Sequence, residues 1–273
     1  MSLSRAANPY PSRFHRPATQ PIQVQDRESV RALLEADPVA NAVVWNRVYQ
    51  HPDYRELWVD ALPPKAVLAV DRASGPEDVT GLVLHGTDVA AARTVLTTIP
   101  PGPIFFHLTE EWQLGLVEER AVEARPRSAW LFEMDADDFA DVQAHEARPV
   151  DPQWAPMIAK LWEPEWHSEP YVRSRIERGP SAGIYVDGQL VAWSLTHFET
   201  DRVLMMGFLH VLEPHRRRGY AKSVGSALAR EALRRGKIPI LHVYVDNPAS
   251  LELTPKLGFH RVKRQVWGDA VLR

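Results

Sequence analysis

The sequence predicts a mixed α/β fold organised in two units. Helix-like and strand-like segments alternate along the chain, and a polar, acidic stretch at residues 135–150 divides them. After this stretch the order is helix, helix, three strands, helix, strand, helix, strand. A mixed sheet with helices packed on its faces accommodates that order. We therefore predict a disordered tail at residues 1–24, an N-terminal domain at 25–147 and a C-terminal domain at 148–273.

The composition limits the classes of function. The chain has 273 residues, of which 45% are hydrophobic and 25% charged, as in ordinary globular proteins. Its net charge of -3 argues against a general nucleic-acid binder, and no apolar run is long enough to span a membrane. There is no cysteine, which excludes disulfides and thiolate ligands, and we see no tight metal-ligand spacing. We expect no metal, no nucleic-acid partner and no membrane partner, and the oligomeric state stays open.

The N-terminal tail has a composition of its own. The first twenty residues contain three arginines and no acid, which partly suits a mitochondrial presequence. Pro9, Pro11 and Pro17 would interrupt the amphipathic helix that a presequence needs. We therefore expect a disordered tail and a cytoplasmic protein, with a mitochondrial location as the alternative.

The first unit is predicted to place helices around short strands. Residues 26–50 have a helical pattern that is broken at Pro38. A second helix at residues 88–99 follows the possible N-cap Asp88. Apolar runs bounded by turn residues predict strands at residues 56–62, 65–71, 78–86, 102–108 and 128–134. The stretch at 135–150 is the candidate linker.

The second unit begins with two predicted helices, at residues 151–162 and 168–179. Asp187 and Gly188 lie between alternating apolar runs, which is a strong hairpin signal within residues 181–199. The remaining predicted elements are strands at 202–212, 238–246 and 260–268 and helices at 223–236 and 247–259.

Three consecutive arginines, Arg216, Arg217 and Arg218, precede Gly219 and an amphipathic helix. Cations are unfavourable at the positive end of a helix dipole, so this placement needs a partner. A polyanion such as a diphosphate would be one, because free N–H groups at a helix start bind phosphate oxygens. Gly219 would permit close approach of the backbone, and Ala221 would leave space. The alternative is a solvated basic run paired with Glu213.

The segment "RRRGYA" fits the (Gln/Arg)-x-x-Gly-x-(Gly/Ala) signature of the GCN5-related N-acetyltransferase (GNAT) superfamily. Downstream, "NPASLELTPKLGF" resembles the superfamily's Asn-x-x-Ala-x-x-Leu-Tyr-x-x-x-Gly-Phe segment, and the order of elements from Asp151 is also that of a GNAT domain. Two motifs at the proper spacing are a stronger signal than one. The resemblance implies a GNAT fold in the C-terminal half.

A closer resemblance is to the glycine N-acyltransferase-like branch. It is carried by "MIAKLWEPEWHSEPYVRSRIERGPSAGIYVDGQLVAWSLT" and "HVYVDN", with weaker similarity in "VYQHPDYRELWVDALPPKAVLAV". In that branch the N-terminal half is a degenerate GNAT-like domain. Because the first unit here lacks a (Gln/Arg)-x-x-Gly-x-Gly segment, we expect one coenzyme site per chain.

The resemblance implies that acetyl-CoA or another acyl-CoA is the co-substrate. The backbone of Val211 and Leu212 would pair with the pantetheine arm, as an added strand does. Asn247 and Ser250 would contact the arm from the other side. The diphosphate would lie on the turn and helix start formed by Arg216, Arg217, Arg218, Gly219, Tyr220, Ala221 and Lys222.

The resemblance also directs attention to the catalytic base. Many members carry a glutamate eleven positions before the first motif residue, where this chain has Met205. Others carry a glutamate five positions before the Asn, where this chain has His242, as the glycine branch does. An imidazole of ordinary pKa suits base catalysis near neutral pH, and we expect a basic limb at about pH 6 to 7.5. A half-buried structural histidine is the alternative, with Glu199, Asp201, His210 and His215 in reserve.

Other family positions differ, and several readings remain open. Thr254 replaces the tyrosine that can protonate the departing thiolate. Trp162, Trp166 and Trp193 could line an acyl or amine pocket or simply be core. The leading function is an acyl-CoA-dependent N-acyltransferase of a small amine, possibly an amino acid. The alternatives are an acyl-CoA sensor without turnover and a basic nucleic-acid contact.

Overall fold

The computed structural model describes residues 20–51, 53–72, 79–164 and 167–273. Within these ranges no helix is both long and apolar enough to cross a membrane. The strands are β1 (Ile22–Gln23), β2 (Glu56–Val59), β3 (Ala66–Asp71), β4 (Thr80–Gly86), β5 (Gly102–Leu108), β6 (Ala121–Glu133), β7 (Ser181–Val186), β8 (Gln189–Glu199), β9 (Val203–Val211), β10 (Ile238–Tyr244) and β11 (His260–Leu272). The helices are α1 (Arg31–Glu35), α2 (Ala42–Tyr49), α3 (Val89–Leu96), α4 (Gln113–Glu118), α5 (Ala155–Trp162), α6 (Glu169–Arg178), α7 (Tyr220–Arg234) and α8 (Pro248–Leu253).

The two halves of the chain repeat one order of elements. Each runs α-α-β-β-β-α-β-α-β, from α1 to β6 and from α5 to β11. All strands join one sheet in the order β1-β2-β3-β4-β5-β11-β6-β10-β9-β8-β7. The last strands are therefore exchanged: β11 lies between β5 and β6, and β6 lies beside β10. The mixed α/β class predicted from the sequence is confirmed, with β4–β5 and β9–β10 as its parallel pairs.

Helices cover both faces of the sheet, as alternation along each strand requires. On β9, Leu204 and Met206 pack with Val224 and Leu228 of α7 on one face. Met205, one residue between them, joins the core beneath α1 and α2 on the other face. Helices from the first half therefore cover strands of the second half.

The limits of several elements differ from the sequence predictions. Strand β6 begins at Ala121, and its first half has many charged residues, so no apolar alternation marks it. Pairing with β11, which runs on to Leu272, holds this half in the sheet. Helix α4 was not predicted because it has six residues, too few for a clear period. Residues 22–23 of the predicted tail form β1 against β2, and residues 1–19 lie outside the described residues.

The predicted linker at residues 135–150 is attached to α7. Ser223 Oγ accepts hydrogen bonds from the backbone N–H groups of Ala144 and His145, each at 3.1 Å. Ser226 Oγ accepts from the Val142 N–H at 3.3 Å. His145 Nε2 lies 2.8 Å from the carbonyl oxygen of Arg218. This segment therefore supports the glycine turn that begins α7.

Candidate active site

The turn before α7 presents a row of free amides. Arg217 and Gly219 have left-handed backbone, with φ of 60° and 83°, and no side chain caps the helix. After Arg216, the first backbone N–H that donates to an oxygen of the protein is that of Ser223, which bonds to the Gly219 carbonyl at 3.1 Å. In the described part of the chain, no oxygen accepts from the amides of residues 217–222. The turn and the helix start therefore have the geometry of an anion-binding site.

The three arginines next to these amides are exposed. Arg216 Nε donates to the Val211 carbonyl at 3.2 Å, and Arg218 Nη2 donates to the Pro214 carbonyl at 3.3 Å. Among the described residues, no carboxylate lies within 4 Å of any of the three guanidinium groups, Glu213 included. The ion pair that would have explained them structurally is not formed, so their positive charge remains directed at solvent beside the free amides.

The corresponding helix of the first half is different. The carboxylate of Asp88 accepts from the Ala91 N–H at 2.9 Å and caps α3. Its negative charge occupies the position that a phosphate would need. The contrast supports the prediction of a single coenzyme site.

Strands β9 and β10 separate beside the turn. They pair in parallel from Val203–Ile238 to Met206–Leu241, and the pairing ends there. Gly207 and His242 are the first residues of the two strands beyond the last pair. Phe208 follows with a positive φ of 55°, and the β8–β9 register shifts around it. The two strands therefore enclose an open gap that leads toward the α7 turn.

The backbone groups of Val211 and Leu212 have different partners. Leu212 donates its N–H to the Val191 carbonyl at 2.9 Å, and its carbonyl accepts from His215 at 2.8 Å. Both of its backbone groups already have partners in the protein, and the pairing of pantetheine with Leu212 stays a prediction. Val211 lies opposite Ala192, one position from the Leu212–Val191 bond, so its N–H and C=O point to the gap, where the C=O also accepts from Arg216 Nε at 3.2 Å. Leu209 shares that orientation because alternate residues face the same edge.

The other predicted coenzyme contacts lie around α8. Asn247 Oδ1 accepts from the Ser250 N–H at 3.1 Å and caps the helix. Its Nδ2 has no partner in the described part of the chain. Thr254 is 3% exposed, and its hydroxyl donates to the Ser250 carbonyl at 2.7 Å. The proton of Thr254 is therefore engaged in the helix and does not replace a general acid.

His242 stands at the point where the gap opens. Its Nε2 lies 2.9 Å from Oε1 of Gln265. The side chain keeps some exposed surface, yet it lies under enough protein that burial lowers its pKa to about 4, while the Gln265 hydrogen bond opposes the shift. The basic limb expected at pH 6 to 7.5 is therefore wrong, because the imidazole is neutral well below that range.

The reserve candidates lie elsewhere or have other contacts. Glu199 forms ion pairs with Arg235 at 3.2 Å and Lys237 at 3.7 Å, at the end of the sheet opposite the gap. The Lys237 ammonium also donates to the Asp201 carbonyl at 3.0 Å, so Asp201 shares that end.

His210 stacks on Trp193 with ring centroids 4.9 Å apart, and burial followed by the charge of Arg216 lowers its pKa. His215 stacks on Tyr220, one residue from the glycine turn and not in the gap. Met205, at the position where the resemblance implies a glutamate base, is 3% exposed beneath α2.

An aromatic group lines the gap on the α5–α6 side. The His197 ring packs on Phe208 at 4.2 Å, and its Nδ1 lies 3.0 Å from the Tyr171 hydroxyl. It covers Gly207 so closely that a Cβ there would overlap His197 Nε2. Burial lowers the pKa of His197 to about 3. Sequence reasoning missed this histidine, because nothing local marks it.

Two of the three tryptophans considered for a pocket are among the described residues, and Trp162 is the one of these that lies at the gap. Trp162 packs on Phe208 with centroids 4.5 Å apart. Trp193 is 1% exposed and belongs to the core. Trp166 lies outside the described residues.

Arg47 of α2 adds a positive charge from the first half to the surroundings of His107 and His197. Its charge contributes to lowering the pKa of both His107 and His197, after burial in each case. One guanidinium nitrogen donates to Asn46 Oδ1 at 3.0 Å, while its Nε is buried without a hydrogen-bond partner. No carboxylate of the described residues lies within 4 Å of it. The sequence did not predict this contribution of the first half.

A group of potential metal ligands lies away from this site. Asp135, Asp138 and His260 place ligand atoms within 4.8 Å of one another, and all three side chains are exposed. His260 also lies 3.1 Å from the carboxylate of Glu133. The expectation of no metal stays a prediction.

Comparison with known proteins supports this assignment of the fold. Residues 181–268 match the family model described as FR47-like protein. No curated protein matches the sequence significantly.

Among solved structures, a Drosophila protein is 16% identical with a TM-score of 0.69, over 90% of this chain and 94% of that one. A GCN5-related N-acetyltransferase from Sphaerobacter thermophilus is 17% identical with a TM-score of 0.62, over 93% and 96%. A tandem GNAT protein from the clavulanic acid biosynthesis pathway is 14% identical with a TM-score of 0.57, over 92% and 98%. The chain thus has a GNAT fold with two GNAT-like halves. The glycine N-acyltransferase-like branch stays a prediction.

Proposed function

We propose that this protein is an acyl-CoA-dependent N-acyltransferase that acts on a small amine. One observation carries the proposal. The free amides of residues 217–222 and the three arginines lie beside the gap between β9 and β10, and the neutral imidazole of His242 lies where this gap begins. GNAT acetyltransferases of the same fold support acyl transfer in general. The glycine N-acyltransferase-like branch remains the nearest family assignment that we propose.

Each part of the site would have its own task. The amides of residues 217–222 and the three arginines would hold the diphosphate, and Leu209 and Val211 would pair with the pantetheine arm. The acceptor nitrogen bonds to the thioester carbonyl carbon, and the C–S bond breaks. His242 would take the proton that this nitrogen loses. The thiolate that leaves is then protonated from His242 or water, so no further reactant is needed.

Arg47 supports an acceptor that carries a carboxylate, such as an amino acid. Its guanidinium has no carboxylate partner in the described structure, and its charge reaches the histidines around the gap. Arginine binds carboxylates through two parallel hydrogen bonds. Arg47→Met should therefore raise KM for an amino acid acceptor by about tenfold or more, since such a bond contributes about 1.5 to 3 kcal/mol. For an amine of similar size without a carboxylate, KM should not change, and an equal rise for both would contradict this role.

The experiment is a panel of amines assayed with acyl-CoA thioesters of graded length. Release of CoA and formation of the amide, followed by mass spectrometry, should occur together with at least one amine. Binding of acyl-CoA without turnover of any amine would instead support a sensor. Two observations favour that second candidate: Met205 is core where the resemblance implies a glutamate base, and the Thr254 hydroxyl is engaged in a helix.

A further inference from the structure

We propose that Gln265 is a positioning residue that fixes His242 as its Nε2–H tautomer and thereby makes Nδ1 the atom that accepts the proton. The proposal rests on the function proposed above, in which His242 is the base. It adds a residue of the last strand, and through it the first half of the chain, to the catalytic arrangement.

The orientation of the Gln265 side-chain amide follows from its contact with Ala40. One end of the amide lies 2.7 Å from the carbonyl oxygen of Ala40. A carbonyl oxygen can only accept, so the NH₂ group must face Ala40. The amide oxygen then faces Nε2 of His242 and Nε2 of His107, each at 2.9 Å. The side chain is fully buried, so water does not compete for these contacts.

The protonation of both imidazoles follows from that oxygen. An amide oxygen has two lone pairs and no proton, so both histidines must donate to it from Nε2. A neutral imidazole with a proton on Nε2 has its lone pair on Nδ1. For His107 that atom is buried without a hydrogen-bond partner in the described structure. For His242 it is the only ring atom that can accept a proton.

The exchanged strands bring these groups together. On β6, Ala129 lies opposite Gln265 of β11, and it also lies opposite Tyr244 of β10. The next residue on that face of β6, Leu131, lies opposite His242. Gln265 and His242 therefore meet across an intervening strand, where the small side chain of Ala129 leaves room. Ala40 precedes α2, so the first half of the chain supplies the contact that orients the amide.

The surroundings keep His242 neutral. His107 of β5 and His197 of β8 face it, and the ring of Trp267 on β11 lies 5.9 Å away. Arg47 of α2 supplies the nearby positive charge that acts on both other histidines. None of these groups stabilises an imidazolium. A carboxylate at position 265 would stabilise it, and this difference makes the proposal testable.

Three variants of the full chain separate the roles. Gln265→Met keeps the length but cannot accept a hydrogen bond. Gln265→Glu still accepts from both imidazoles and, when ionised, adds a negative charge but gives up the hydrogen bond to the Ala40 carbonyl. Gln113→Met is the matched control, because Gln113 is also fully buried but lies on α4, and its side-chain oxygen accepts only from the Glu110 N–H at 3.2 Å. Thermal unfolding identifies any variant that fails to fold.

The first readout is the ¹⁵N spectrum of His242 in the free protein, assigned by loss of its signals in His242→Ala. The wild type and Gln113→Met should show protonated Nε2 and unprotonated Nδ1. Gln265→Met should show a mixture of tautomers, and Gln265→Glu should keep Nε2–H and titrate at higher pH. The second readout is acyl transfer: kcat should fall at least tenfold in Gln265→Met. In Gln265→Glu the rise of kcat with pH, which reports deprotonation of His242, should move from about pH 4 toward neutral pH. The affinity for acyl-CoA should be unchanged in Gln265→Met and Gln265→Glu.

The two proposals fail in different ways. If His242 is protonated on Nδ1 in the wild type, or if Gln265→Met leaves the tautomer, kcat and the pH profile unchanged, the role of Gln265 is refuted whether or not transfer occurs. If the spectra agree with the Nε2–H tautomer but no acyl transfer is found with any amine, the proposed function fails instead.

Discussion

The imidazole of His242 is a weak base held in its neutral form. With its pKa lowered to about 4, it needs no deprotonation at physiological pH, but each proton that it accepts must leave quickly. Its partners could not be predicted from the sequence, because Gln265 and Ala40 lie 23 and 202 residues away from it along the chain. The glycine turn with its three arginines could be predicted, since six consecutive residues contain it.

Replacement of His242 tests the base directly. His242→Ala should lower kcat by about 10²-fold, the low end for a general base, and leave acyl-CoA affinity unchanged. Because the imidazole is neutral above pH 4, the wild-type rate should rise through about pH 4 and then follow the pKa of the amine; the variant should lose the lower limb. Steady-state kinetics across pH measure both effects. His260→Ala, at an exposed histidine, is the control. Wild-type kcat in His242→Ala would assign the proton transfer to another group.

Substitution of Ala221 tests the anion site without backbone strain. This residue lies in the first turn of α7, and its φ is not positive. Ala221→Glu and Ala221→Gln add side chains of equal size and differ only in charge. We expect the glutamate to weaken acyl-CoA binding at least tenfold more than the glutamine, because it repels a diphosphate. Calorimetric titration measures both affinities. Equal affinities would show that the diphosphate lies elsewhere.

At the scale of elements, the two halves use the same helix in different ways. Helix α7 starts from a glycine turn with free amides, whereas α3 starts from the carboxylate cap Asp88. The sequence distinguished them because a cap and a glycine turn are local signals. It did not reveal the charged first half of β6, which depends on pairing with the distant β11, or α4, which is too short for a clear period.

This difference predicts the number of coenzyme molecules bound. Of the two helices at corresponding positions in the halves, α7 offers free amides to a diphosphate and α3 does not, so one acyl-CoA should bind per chain. Isothermal titration calorimetry should give a stoichiometry of one, and Ala221→Glu should reduce all of the binding heat together. A residual second site in that variant would contradict the assignment.

At the scale of the molecule, four histidines on strands of the sheet are held in neutral form: His85 and His107 are buried, and His197 and His242 are half-buried. Burial lowers the pKa of His85 and His242 to about 4 and of His197 to about 3, and it lowers that of His107 well below its usual range. In the unfolded chain each would titrate near 6.5. The general order of strands and helices was predicted, but the burial of these histidines follows from the shared sheet and was not.

These histidines predict how stability depends on pH. Above about pH 6.5 both states are neutral and stability is fully present. As pH falls from there toward 4, the unfolded chain binds protons that the folded chain does not, so the free energy of unfolding should fall. The slope should approach about 1.4 kcal/mol per pH unit for each histidine. Urea unfolding between pH 8 and 4.5 measures it, and His85→Gln should reduce the slope. Stability that is level over this range would mean that the histidines are not held neutral.

The exchanged strands also have a consequence for synthesis. His107 on β5 contacts Gln265 on β11 across 158 residues of chain. During translation β5 has no neighbour on one side until β11 has been made, and loop closure over such a distance is slow. A ribosome that stops before β11 releases a chain in which both β5 and β6 have an open edge, and such edges pair readily with other molecules. Synthesis of β11 is therefore the event that joins β5 to β6 in the sheet.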